Sequence, residues 1–237
     1  MVCEALKAAV QRTEAGIEGP QGELRAEQEQ RIELQKQLGM SREQEEATAR
    51  LLERVLVVGD SNVARVRDGA FKTVKDDGRV GVEAQSGKGM VKVLAKAQEF
   101  VEDSMEGENL VIILAGLNDM LKGKDQDRQR QLKDGMRKLR ESSGSVHVTI
   151  CTFAKVWGQS CEIERRVAEA NRVIKGMSRQ PGYSVMEVNQ DVYEPGAHPF
   201  AQDGIRYSGA TSRRVGNRMG RQATAFLGGP RAVRPTV

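Results

Sequence analysis

Cysteine is scarce and irregular in this sequence: Cys3, Cys151 and Cys161 are the only ones in 237 residues. An odd number with no repeated spacing excludes a disulfide framework and a zinc knuckle, and suits reduced thiols inside a cell. No metal site is suggested and no cofactor is expected. Long apolar runs are missing too. None approaches the roughly 18 residues that a membrane span requires, and the N-terminus lacks the basic start and apolar stretch of a signal peptide. The chain therefore reads as an intracellular, cytoplasmic protein with no membrane span. Acid is absent from the C-terminal end, where everything after Gly204 carries Arg206, Arg213, Arg214, Arg218, Arg221, Arg231 and Arg234 but neither Asp nor Glu. The formal net charge of +4 is thus unevenly spread, since the first fifty residues hold more acid than base.

Residues 1–54 also differ from the rest: the stretch 18–54 contains almost no β-branched side chains and is rich in Glu, Gln, Arg and Leu, which favour helix. Gly19, Pro20 and Gly22 divide a short first helix from a longer one running to about Arg54. Val10, Ile17 and Leu24 are seven apart and Leu34 and Leu38 one turn apart, but Arg31 takes the next seam position. Two readings stay open: a solvated helical linker, or a short coiled coil through which the chain self-associates.

From Val55 the texture changes to short apolar runs alternating with helix-like stretches. VLVVG, VGVEA, LVIILAG, VHVTICTF and YSVMEV read as strands, and the segments near 62–73, 89–105, 126–141, 161–177 and 209–227 as helices. This alternation implies a five-stranded parallel sheet with helices on both faces, a three-layer α/β/α sandwich over 55–227. The ending after residue 228 reads as a flexible basic tail. Ligands of such sheets sit at the C-terminal ends of the strands, and Ser61, Gly87 and Asn118 fall just past the first three.

Ser61 follows Gly59 and Asp60 at a strand-to-helix turn, where a hydroxyl and the backbone N–H groups of a helix start can face one space. By itself this stretch is equally a helix cap. Asn118, in LVIILAGLNDM, adds an amide that can donate to a developing negative oxygen, and Gly87, in AQSGKGM, adds an unhindered backbone N–H.

In this order the residues resemble the SGNH hydrolases, the GDSL-like esterase and lipase superfamily, whose flavodoxin-like fold agrees with the pattern above. Gly59-Asp60-Ser61-Asn62 matches the nucleophile block, Gly87 the second-block glycine, Gly116-Leu117-Asn118-Asp119 the Gly-x-Asn-Asp block, and Asp203-Gly204-Ile205 the start of the final Asp-x-x-His block. The resemblance implies Ser61 as nucleophile on an ester carbonyl and Asp203 as the residue that orients a histidine base. It also implies an oxyanion hole from Ser61, Gly87 and Asn118. A helical segment ahead of such a domain further resembles the first-open-reading-frame proteins of certain non-LTR retrotransposons, which implies self-association and nucleic-acid or membrane contact.

One position departs from the pattern. Where the family has its histidine, this sequence has Arg206, a guanidinium that keeps its proton and cannot act as a base. Only two histidines are present, and neither is well placed to substitute. His198 lies five residues before Asp203 between Pro195 and Pro199, a weak substitute, and His147 falls within a strand. The leading expectation is an esterase-like domain impaired or inactive in hydrolysis, with Arg206 paired to Asp203. Three alternatives follow: a serine esterase active on short acyl or acetyl esters, a site that holds an anionic small ligand, and a self-associating scaffold that binds nucleic acid. For the last, Arg213, Arg214, Arg218 and Arg221 would form the polyanion-binding face of the final helix, against a merely solvated face. Trp157, in the loop after the fourth strand, reads as rim packing or as a substrate wall.

Overall fold

The computed structural model describes residues 27–44, 53–75, 77–103, 107–123, 127–143, 145–156, 158–177, 183–193, 196 and 198–228. The chain divides into two units at Thr48 and Ala49. In the first, helix α1 covers 27–44 with every residue exposed, including Ile32, Leu34, Leu38 and Met40. Val10, Ile17, Leu24 and the break at Gly19 to Gly22 lie outside the described residues.

The second unit is a parallel sheet in the order β2-β1-β3-β4-β5. Its strands are β1 (Arg54–Gly59), β2 (Val80–Ala84), β3 (Asn109–Leu114), β4 (Val146–Cys151) and β5 (Tyr183–Met186). The helices are α2 (Ser61–Val74), α3 (Met90–Asp103), α4 (Leu117–Leu121), α5 (Arg128–Ser142), α6 (Cys161–Met177), α7 (Asn189–Val192) and α8 (Gly209–Phe226). All four strand pairings are parallel. β3 is buried at every position, as expected of a central strand covered on both faces, while β2 at the edge ends in two exposed residues. Alternation of side chains divides the core in two. Leu56, Val58, Val111 and Ile113 pack with α3, α5 and α6, whereas Val55, Val57, Leu110 and Ile112 pack with α2 and α8. Five strands and the five long helices of this unit stand where the sequence pattern puts them. The one-turn helices α4 and α7 are additions, too short to leave a periodic signal.

Helices α2 and α8 lie against each other through glycine. A Cβ on Gly216 would come within 2.3 Å of the Val66 carbonyl oxygen, one on Gly220 within 2.8 Å of the Ala70 oxygen, and one on Gly69 within 2.9 Å of the Arg213 oxygen. At Gly69 and Gly216 the opposing atoms are backbone, and at Gly220 they are the Ala70 oxygen and the Thr73 side chain. This contact sets how the start of α2, at Ser61, lies relative to residues 203–206, which precede α8.

A methyl group on Gly216 cannot be absorbed by side-chain rotation, since the colliding atoms are backbone. Gly216→Ala is expected to lower stability by about 1–3 kcal/mol or more, despite the helix preference of alanine. Gly176→Ala, in α6 with open space around it, is expected to be neutral or mildly stabilising. Thermal unfolding followed by circular dichroism distinguishes them, and equal melting temperatures for the two variants would contradict the close-contact account.

Candidate active site

The first three strands end side by side, with Gly59 paired to Ala84 on one flank and to Leu114 on the other. Hydrogen bonds carry the pairing past the strand ends: Gln85 N–H donates to the Gly59 carbonyl (2.7 Å) and Asp60 N–H to the Leu114 carbonyl (3.0 Å). The loops that bear Ser61, Gly87 and Asn118 therefore leave one rim of the sheet together. The helix cap at this rim is Asp60, whose carboxylate accepts the Asn62 N–H at 3.0 Å, and Ser61 is the first helical residue. The reading of Ser61 as the cap is thereby corrected. Ser61 is half-buried, and its hydroxyl has no hydrogen-bond partner among the described residues.

The final block arrives on a tight hairpin, Pro199 to Ser208. It is closed by Ala201 N–H to the Arg206 carbonyl (2.7 Å), Ser208 N–H to the Pro199 carbonyl (3.0 Å) and an antiparallel bridge between Phe200 and Tyr207. Asn62, next to Ser61, brackets Arg206 on both sides. Its amide nitrogen donates to the Ile205 carbonyl at 3.4 Å and its amide oxygen accepts the Tyr207 N–H at 2.9 Å. Arg65, one turn further along α2, donates to the Tyr207 carbonyl at 3.0 Å. Two side chains of α2 thus seat the hairpin beside the helix start that carries Ser61. Neither was singled out for this role from the sequence, where both are ordinary polar residues of a helix start.

Within the hairpin, Asp203 accepts the backbone N–H groups of Ile205 (3.0 Å) and Arg206 (2.8 Å) on one oxygen. Its other oxygen faces the Arg206 guanidinium at 3.4 Å. Desolvation opposes ionisation of Asp203, but the two backbone donors and the Arg206 and Arg65 charges outweigh it and hold the carboxyl below its ordinary value. The pair is open to solvent, with side-chain exposures of 53% for Arg206 and 37% for Asp203, so it orients Arg206 more than it stabilises the fold.

Beneath the rim, Asp60 is enclosed with Asn62, Leu114, Leu117, Phe153, Phe200 and Tyr207 around a cavity of about 10 Å³, room for about one water molecule. Burial pushes the Asp60 carboxyl up to about 6; the Asn62 N–H acts in the opposite direction and the Asp119 charge adds to the rise.

The remaining candidates lie elsewhere. His198 is exposed and lines a cavity of about 670 Å³ with Tyr193, Pro199 and Phe200; Ser61 is not among the lining residues. His147 is near the start of β4, at the opposite end of the sheet, 3.5 Å from Glu108 and edge-on to Phe226. Arg214 and Arg218 turn inward: Arg214 donates to the Asp191 carbonyl at 2.8 Å, and Arg218 to the Glu187 carbonyl at 2.8 Å and the Asp191 carboxylate at 2.6 Å. They tie α7 to α8, leaving Arg213 and Arg221 as the exposed members of that group. Trp157 lies outside the described residues. Among those described, no three His, Cys, Asp or Glu side chains gather as metal ligands, and no helix is long and apolar enough to cross a membrane.

No protein-family model matches the chain, and no curated protein matches it. Solved structures do. A carbohydrate acetylesterase from Sinorhizobium meliloti superposes with a TM-score of 0.57 at 15% identity, over 73% of this chain and 99% of that one. A member of the lipolytic G-D-S-L family from Veillonella parvula superposes with a TM-score of 0.58 at 15% identity, over 73% and 98%. The chain has the SGNH hydrolase fold. A family 3 carbohydrate esterase from Clostridium thermocellum is similar at the same level, with a TM-score of 0.58, 13% identity and coverage of 74% and 96%. At these identities the likeness is one of architecture.

A carboxyl whose value is raised by folding binds its proton more tightly folded than unfolded. Asp60 therefore contributes stability below about pH 4 that is lost as pH rises to about 6, a difference of at most about 3 kcal/mol. Asp60→Asn retains a capping acceptor and removes the titration. Melting temperatures measured from pH 4 to 7 are expected to fall less with rising pH in the variant than in wild type. Parallel curves would show that Asp60 titrates as an ordinary surface carboxyl.

Proposed function

We propose that residues 55–227 form an esterase-like SGNH domain that has lost ester hydrolysis by the usual serine route, because Arg206 occupies the position of the general base. The supporting observation is the Arg206–Asp203 pair on a hairpin seated at Ser61, with the Ser61 hydroxyl lacking a proton acceptor among the described residues. Attack on an ester carbonyl requires the serine proton to leave as the new C–O bond forms. A guanidinium has no free lone pair to receive it. Asp203, whose role in the family would be to orient a protonated imidazole, instead orients a permanent cation. The groups implied for the oxyanion remain: the backbone N–H groups of Ser61 and Gly87 and the Asn118 amide. Two of the similar structures are a carbohydrate acetylesterase and an acetyl xylan esterase, so the ligand class assigned to this site is a short acyl or acetyl ester.

Hydrolysis of 4-nitrophenyl acetate tests the reading. Wild type is expected to show no turnover above that of Ser61→Ala. Arg206→His is expected to gain turnover at least about tenfold above wild type, a small part of the roughly 10⁴-fold or greater contribution of an intact triad base, and to lose it again in the double variant with Ser61→Ala. Wild-type turnover abolished by Ser61→Ala would overturn the proposal and return the protein to the active serine esterases.

A further inference from the structure

The loop that carries Gly87 is held from below by three side chains of one helical turn. Its four-residue turn closes with Lys88 N–H on the Gln85 carbonyl (3.0 Å), with Gly87 in the left-handed region at φ 74°. Asn118 on α4 donates an amide hydrogen to the Lys88 carbonyl at 3.0 Å. An amide nitrogen carries two hydrogens, so this bond orients the group and leaves one donor for a ligand. Asp119 accepts the Met90 N–H at 2.7 Å, and its carboxylate lies so close over Gly89 that a Cβ there would stand 1.9 Å from it. The third contact comes from Lys122, the residue that closes α4, whose ammonium donates to the Gly87 carbonyl at 3.1 Å.

Each contact fixes a different peptide group. Asn118 holds the carbonyl after Lys88 and Asp119 the N–H of Met90, which leaves the peptide plane between Gly87 and Lys88 to the turn hydrogen bond and to Lys122. That plane adjoins Gly87, where glycine is conformationally permissive and the backbone is least constrained by its own sterics. A charged donor on the carbonyl is the stronger kind of hydrogen bond, and it spans 35 residues of sequence between two strand ends.

We propose that Lys122 is a positioning residue of the oxyanion loop: by gripping the Gly87 carbonyl it keeps the Gln85–Lys88 turn closed and so narrows the directions open to the Gly87 N–H before any ligand arrives. This rests on the reading above that the Gly87 N–H is an oxyanion donor, and it adds that α4 keeps that donor pre-assembled although the base is gone. Preorganised donors lower a barrier because they need no reorientation when charge develops.

Amide hydrogen exchange on the full chain tests this without any activity. Lys122→Met is expected to accelerate exchange of the Lys88 amide, which closes the turn on the Gln85 carbonyl, about fivefold or more, with the melting temperature and the exchange of β1 unchanged, and Lys122→Arg to restore wild-type protection. Exchange in Lys122→Met within about twofold of wild type would overturn the proposal. In the Arg206→His background, Lys122→Met is expected to lower kcat for 4-nitrophenyl acetate about tenfold at unchanged KM. An inactive Arg206→His protein would count against the missing-base reading and leave the exchange result to decide the role of Lys122. An active Arg206→His protein indifferent to Lys122→Met would sink the positioning role alone.

Discussion

The glycine contact between α2 and α8 is the constraint on which the candidate site depends. Ser61 at the start of α2 and residues 203–206 just before α8 are separated by more than 140 residues of chain, and the packing of these two helices brings them together. Because Gly69, Gly216 and Gly220 leave no room for a Cβ, the helices cannot slide or part by small rotamer changes. At Gly69 and Gly216 their spacing is set by backbone against backbone. Asn62 and Arg65 then convert that spacing into register by binding the main chain of Ile205 and Tyr207. Hydrogen bonds to main-chain groups specify where residue 206 stands without regard to which side chain it carries, which is how the scaffold tolerates arginine there.

The electrostatics of the rim follow from that tolerance. Asp203 is held ionised by backbone donors and by the cation of Arg206, whereas Asp60, immediately before Ser61, is driven toward its neutral form by burial and by Asp119. The two carboxyls are separated in behaviour by environment alone, one on an exposed hairpin and one enclosed under it. Neither is arranged to accept a proton from Ser61: Asp203 faces Arg206, and Asp60 is turned inward to cap α2. On the proposed reading, the site keeps the hydroxyl and the implied oxyanion donors without the group that would start the reaction.

Much of this was legible in the sequence. The β-strand runs and helical stretches over 55–227 mark the layers because burial on both faces of a parallel sheet demands continuous apolar segments, and β3 supplies one buried at every position. Gly-Asp-Ser-Asn and Gly-Leu-Asn-Asp are local in sequence and so could be read directly, as could arginine at the end of Asp-Gly-Ile-Arg. What composition and periodicity could not convey was tertiary in origin. Lys122 and Asn62 are ordinary polar residues until folding places a carbonyl opposite them. Arg214 and Arg218 share a helix face that reads as solvated and basic, yet Asp191 and two carbonyls of the α7 region draw them inward. Asp60 rather than Ser61 caps α2, a choice between adjacent residues that only backbone geometry resolves.

Covalent labelling at Ser61 tests the central claim most directly, because it reports the reactivity of the hydroxyl without presuming a substrate. Incubation with a fluorophosphonate followed by intact-protein mass spectrometry is expected to leave the wild-type chain unmodified under conditions that label Ser61 in Arg206→His. Stoichiometric phosphonylation of wild-type Ser61 would mean that a base acts on it after all, and the account of a site stalled by Arg206 would be wrong.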